Sequence, residues 1–124
     1  MKNLLSLGFE LNRDLMTTLR LATGGVCSMA GLDIDETEDC KVCITESLLL
    51  LMHCGYPSAR VSFSEDDGVS VRIEAEGTAN ACKEDFPNDG ISSALLFALA
   101  QEVNMEKEKD CLRAIGFRFV KNGR

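Results

Sequence analysis

Asp35 to Tyr56 reads DETEDCKVCITESLLLLMHCGY, and the fold turns on how this stretch is read. It opens with acids and becomes almost wholly apolar. Cys40, Cys43, Ile44, Ser47, Leu48, Leu51 and Met52 follow the i, i+3, i+4, i+7 spacing of one helix face. Val42, Leu49 and Leu50 widen that face until the second half is apolar nearly all round. Such a helix is covered on both sides by other elements. Asp33 or Asp35 can cap it, and Glu36, Glu38 and Asp39 load its first turns where negative charge suits the dipole. Gly55 and Pro57 stop it. One carboxylate, Glu46, stands in its middle and needs an account.

Working outward, Lys2 to Leu11 alternates, with Leu5, Leu7 and Phe9 on one face, and predicts an opening strand. Asn12 predicts the cap of a helix over Arg13 to Met29. Gly24 and Gly25 weaken that helix and allow close packing or a bend, and Gly31 ends it. Beyond the central stretch, Ala59, Val61 and Phe63 alternate inward. Glu65-Asp66-Asp67-Gly68 predicts a hairpin turn, and Val69, Val71, Ile73 and Ala75 alternate again. Gly77 to Asp89 is polar and predicts a loop. A helix is expected from Ile91 to about Val103, then a short strand near Glu102 to Lys107, a turn at Lys109 and Asp110, and a last strand from Cys111 to Val120. Helices segregated from hairpins predict a two-layer α+β sandwich, with helices on one face of a mixed, mostly antiparallel sheet.

The bulk numbers bound the function. At 124 residues the chain is most simply one domain, 1–124. A net charge of −7 argues against nucleic acid and against an anionic membrane, since both recruit clustered Lys and Arg. Met1 to Phe9 shows no signal-peptide pattern, and Leu48 to Met52 is too short to span a bilayer. A cytoplasmic location is expected. The six cysteines are read as free thiols, because Cys27, Cys40, Cys43 and Cys54 fall on apolar helical positions.

From Asn12 to Gly77, and more loosely over nearly the whole chain, the order of motifs resembles the anti-sigma-factor serine kinases of bacterial sporulation and stress responses. These share the GHKL fold with histidine kinases and gyrase-type ATPases. The family's SEA‑‑NA‑‑H‑Y motif here reads TES‑‑LL‑‑C‑Y, Thr45 to Tyr56. VSFSEDDGVSVRIEAEG resembles its next two strands, and GISSALLFALAQEV its glycine-rich helix start.

The resemblance implies roles residue by residue. Glu46 matches the general base. Leu50 stands where the family places the asparagine that holds Mg²⁺, and offers no oxygen. Ala75 stands where an aspartate grips the adenine amino group, with only Gly77 of that turn kept. Gly90-Ile91-Ser92 replaces a Gly-x-Gly that faces the phosphates. Arg20 matches an arginine on the family's dimer and sigma-factor face. Phosphoryl transfer rests on positioning and charge neutralisation, so losing all three groups together implies a non-catalytic protein. The expectation is a pseudo-enzyme that binds a sigma factor or an anti-anti-sigma factor, with a homodimer as a further form and no resident cofactor. The alternative is a working serine kinase that uses Glu46, ATP and Mg²⁺. A third reading is a redox or metal sensor built on Cys40, Cys43 and Cys54.

Each feature also has a plain reading. Glu46 can be a bonded structural carboxylate. Cys40-x-x-Cys43, with no second pair, suits core packing. His53 suits a helix C-terminus, and Gly24-Gly25 and Gly90 suit packing and capping. Arg20 can be a solvated helix arginine.

Overall fold

The computed structural model describes residues 2–79 and 90–121. Its elements run β1 (Lys2–Glu10), α1 (Leu15–Met29), α2 (Ile34–His53), β2 (Ser58–Glu65), β3 (Gly68–Glu76), α3 (Gly90–Leu99), β4 (Glu102–Glu108) and β5 (Cys111–Val120). Among the described residues the fold is α+β, with five strands in the order β1-β2-β3-β5-β4 and three helices. No helix among the described residues is long and apolar enough to cross a membrane.

Every strand pairing among the described residues is antiparallel, which corrects the mixed sheet expected from the sequence. The reason is chain reversal. The turns at Asp66-Asp67 and Lys109-Asp110 fold β2–β3 and β4–β5 into hairpins, and α1 followed by α2 returns the chain to run against β1.

α2 is the central helix, packed against α1, α3 and the sheet. Cys40, Cys43, Ile44, Ser47, Leu48, Leu50 and Leu51 are all buried, as the wide apolar face requires. The sheet supplies the other wall. Ala59, Val61 and Phe63 of β2 and Val69, Val71, Ile73 and Ala75 of β3 are all buried. In register, Val61 faces Ile73, and Ile73 faces Ile115. The outer sheet face is polar, where Arg72 pairs with Glu106 and Arg118 with Glu102 and Asp66.

The helix ends follow from their sequences. α1 continues through Gly24 and Gly25 without a break. Asn12 Oδ1 accepts the Leu15 N–H at 3.2 Å from a turn ahead of the helix, so the cap sits further out than a simple N-cap. At the other end Gly31 takes φ +82°. Its N–H bonds to Ser28 O at 3.1 Å, and the Leu32 N–H to Cys27 O at 3.0 Å. This is the paired closure glycine permits, with apolar Leu32 turned into the core.

α2 then begins at once with a capping box. Asp33 accepts from the Glu36 N–H at 2.7 Å, and Glu36 Oε1 accepts from the Asp33 N–H at 2.8 Å. Asp33→Ala is expected to cost about 1 kcal/mol, read as a lower urea midpoint at unchanged slope.

The end of α3 and the alternation in β5 differ from expectation. The helix predicted to run to Val103 ends at Leu99, because the Gln101 N–H is taken by Arg118 O at 3.0 Å and the chain enters β4. In β5 the inward parity changes between Leu112 and Ile115. Opposite this point the β4 ladder shifts register between Glu106 and Lys107, leaving Arg113 without a β4 partner. An extra residue of this kind bends the strand and re-aims its side chains. Of the segment Gly77 to Asp89 expected as a loop, residues 80–89, including Cys82, lie outside the described residues.

Candidate functional site

The residues singled out by the resemblance fall in different surroundings. Glu46 is half-buried on the flank of α2 that meets α3. Ser92, buried in the first turn of α3, donates its hydroxyl to Glu46 Oε1 at 2.6 Å. A hydrogen bond to an ionised carboxylate is worth about 1.5–3 kcal/mol, so it clamps α3 onto α2. Leu50, one turn beyond Glu46, is 1% exposed and belongs to the core. Ala75 is 0% exposed and sits opposite Ala59 in the β2–β3 ladder. Neither presents a surface that a nucleotide could touch.

Gly77 ends β3 at φ +87°, and a Cβ there would lie 2.6 Å from Pro57 Cγ. Its glycine is explained by backbone and packing alone. Its carbonyl accepts from Arg113 Nη1 at 2.7 Å, and the Arg113 guanidinium lies 5.5 Å from the centre of the Tyr56 ring. Tyr56 in turn donates to Leu112 O at 2.7 Å, tying the end of α2 to the bulged part of β5. Gly90 opens α3 on the surface, with nothing within 4 Å of where a Cβ would stand. Arg20 is exposed on α1, and α2 lies between it and α3.

An open hollow of about 390 Å³ lies beside the Glu46–Ser92 bond, lined by Arg13, Leu49, Met52, His53 and Ser92. A larger one, about 710 Å³, lies on the outer sheet face between Arg72 and Arg118, whose guanidinium groups already hold carboxylates. The structure thus brings Glu46 and Ser92 together, places Leu50 and Ala75 in the core, and leaves Gly77 and Arg20 apart.

The cysteines separate likewise. Cys27, Cys40, Cys43 and Cys54 are free and buried, whereas Cys111 is disulfide-bonded, which corrects the reading of six free thiols. Among the described residues no three His, Cys, Asp or Glu side chains are placed to hold a metal ion. Cys54 caps the end of α2 near the Leu112 backbone, and burial pushes its thiol up. Cys40 meets Cys27 instead, a residue the sequence reading had treated only as packing.

Cys43 is pushed up to about 12 from an ordinary 9.0, first by burial and then by Asp39 and Glu46. The folded chain therefore keeps this proton at pH values where the unfolded chain has lost it. Stability is expected to be insensitive to this group below pH 9, then to fall by about 1.4 kcal/mol per unit between roughly 9 and 12. Urea unfolding at stepped pH should show Cys43→Ala with a shallower alkaline slope than the parent. An equal slope would place the effect elsewhere.

The sequence reading missed the Ser92 clamp, the Arg113 bridge and the Cys27–Cys40 contact. Each joins residues distant along the chain or on different helices, so no local spacing signals it. Compared with known proteins, the chain matches no family model and no curated sequence.

Proposed function

We propose that this chain is a degenerate GHKL-type protein, similar to the anti-sigma-factor serine kinases, that binds a regulatory protein without turning over ATP. The observation that carries this reading is the Ser92–Glu46 bond at 2.6 Å. It occupies the carboxylate that a kinase would need free for its acceptor hydroxyl. Leu50 and Ala75, buried at the positions corresponding to the metal ligand and the adenine anchor, support the same reading.

The binding face we infer lies along α1 and the start of α2, where Leu21, Met29 and Ile34 are exposed, with Arg20 exposed on the adjoining side of α1. Asp33, Asp35, Glu38 and Asp39 border it. Burial, with Asp35 and Asp33 nearby, holds the Asp39 carboxyl above its usual range. A basic partner surface with an apolar centre, as on a sigma factor or an anti-anti-sigma factor, would relieve that repulsion.

The test is thermal unfolding with ATP or ADP, with and without Mg²⁺. No shift is expected at millimolar nucleotide. A ligand at a thousand times its Kd adds about 4 kcal/mol, which raises the midpoint by more than about 10 °C. A shift of that size, or phosphate transfer lost in Glu46→Ala, overturns the reading in favour of a working kinase. Titration with a sigma factor or an anti-anti-sigma factor in the absence of nucleotide checks the partner directly.

A further inference from the structure

The sheet has two outer edges, β1 and β4, and they are built differently. Each presents a row of backbone N–H and C=O groups with no strand beyond it among the described residues. Such a row is a template for another strand, and charge is the usual guard against it. β4 carries that guard, since Glu102, Glu106, Lys107 and Glu108 are all exposed. Antiparallel pairing of β4 with its own copy would bring Glu102 of each strand to the Glu106–Glu108 end of the other. Like charges across a strand pair disfavour it.

β1 lacks the guard, because Asn3 to Phe9 holds no charged side chain. Leu5, Leu7 and Phe9 lie opposite Phe63, Val61 and Ala59 of β2, which are buried, so all three turn to the core face. They pack against the core, yet at the sheet's edge they are only half-buried themselves. Ser6 and Gly8 turn to the outer face. The Ser6 hydroxyl donates to Ser62 Oγ at 3.3 Å. Arg60 lies across Gly8, its Nη2 3.1 Å from where a Cβ would stand, so a guanidinium reaches the outermost strand.

We propose that β1 is a self-association edge, on which a second copy of this chain pairs its own β1 antiparallel across a two-fold axis at Leu7. The two five-stranded sheets then become one continuous sheet. The position of the axis follows from the side-chain faces. The β1 ladder shifts register between Asn3 and Leu5, so regular alternation begins at Leu5. Antiparallel partners must share a face. Centring on Leu7 meets this condition. Leu7 stands opposite Leu7 of the second copy, and Leu5 opposite Phe9 on the core face. Ser6 stands opposite Gly8 on the outer face.

The same arrangement brings the Lys2 end of each strand to the Glu10 end of the other, so opposite charges close both ends of the seam. β1 therefore attracts its own copy where β4 repels it. Leu5, Leu7 and Phe9 of both copies lose exposure to water, which is the main favourable term in association. This pairing does not depend on whether the chain binds ATP or a regulatory protein.

The test measures the mass of the full chain in solution by light scattering. It should rise to that of two copies between micromolar and millimolar protein. Leu7→Lys should return it to one copy, with a cooperative urea transition to show that the fold persists. Leu7 is half-buried, and a lysine stem covers much of the same surface. Cβ atoms directly opposite in such a pair stand about 4.5–5.5 Å apart. Leu7→Cys treated with a short bismaleimide should therefore give a cross-linked dimer on a denaturing gel. The parent chain and Asn104→Cys on β4 should not. Glu10→Lys should weaken association several-fold, and Lys2→Glu added to it should restore the parent value. Lys2 and Glu10 are exposed, so this exchange decides even where the Leu7 variants do not fold. A one-copy mass that persists to millimolar protein overturns the proposal. So does a dimer that survives Leu7→Lys and cross-links through Asn104→Cys instead.

Discussion

Leu50→Asn is expected to cost about 4 kcal/mol or more of folding stability, enough to leave a domain of ordinary stability close to unfolding. Leu50 is 1% exposed in the core. Losing a buried leucine side chain costs about 2–5 kcal/mol by itself. An amide in its place adds about 1–3 kcal/mol wherever it lacks hydrogen-bond partners. Urea unfolding measures the sum. The variant matters because asparagine is the residue the resemblance calls for at this point. In an open nucleotide cleft it would face water and a cation, and stability would barely change. Parent-like stability together with a new ATP-dependent thermal shift would mean that a cleft exists here, and the closed-site reading would fall.

Gly68→Ala should cost more than about 3 kcal/mol. Gly68 opens β3 opposite Val120 at φ +150°, and an added Cβ would stand 2.1 Å from Phe119 O and 2.9 Å from Lys121 N. Backbone strain and a clash with the neighbouring strand act together, and neither is relieved by turning a side chain. Gly25→Ala is the matched control. It is exposed in the middle of α1 with nothing within 4 Å of the new Cβ, so it should stabilise by about 0.5–1 kcal/mol. Opposite signs in urea midpoint for the same chemical change would separate a glycine required by geometry from one that is not.

Much of the architecture was legible because its signals are short-ranged. Ala59-Val61-Phe63 and Val69-Val71-Ile73-Ala75 alternate with the period of a strand, and all seven are buried. Asp33 and Gly31 mark helix ends through bonds to residues three to five positions away. The width of the apolar face on α2 announced a helix enclosed on several sides. The boundary at Leu99 was not legible, because Val103 continues a helical spacing. Only Arg118, on a strand formed later in the chain, captures Gln101 and starts β4. The break in parity in β5, where adjacent Ala114 and Ile115 are both buried, was not legible either, because its cause, an Arg113 left out of the β4 register, belongs to the pairing of two strands.

The candidate site divides the same way. Sequence alone determined that Glu46 is the one carboxylate in the apolar half of α2, and that Leu50 and Ala75 offer no oxygen to a metal or an adenine. Tertiary structure decided what Glu46 does, because its partner Ser92 lies 46 positions away on another helix. It also decided which cysteines face one another. The spacing Cys40-x-x-Cys43 drew attention to neighbours on α2, but packing turned Cys40 toward Cys27 of α1. Periodicity records which face of an element is buried. It does not record which residue of another element meets that face, and hydrogen bonds and thiol contacts depend on that meeting.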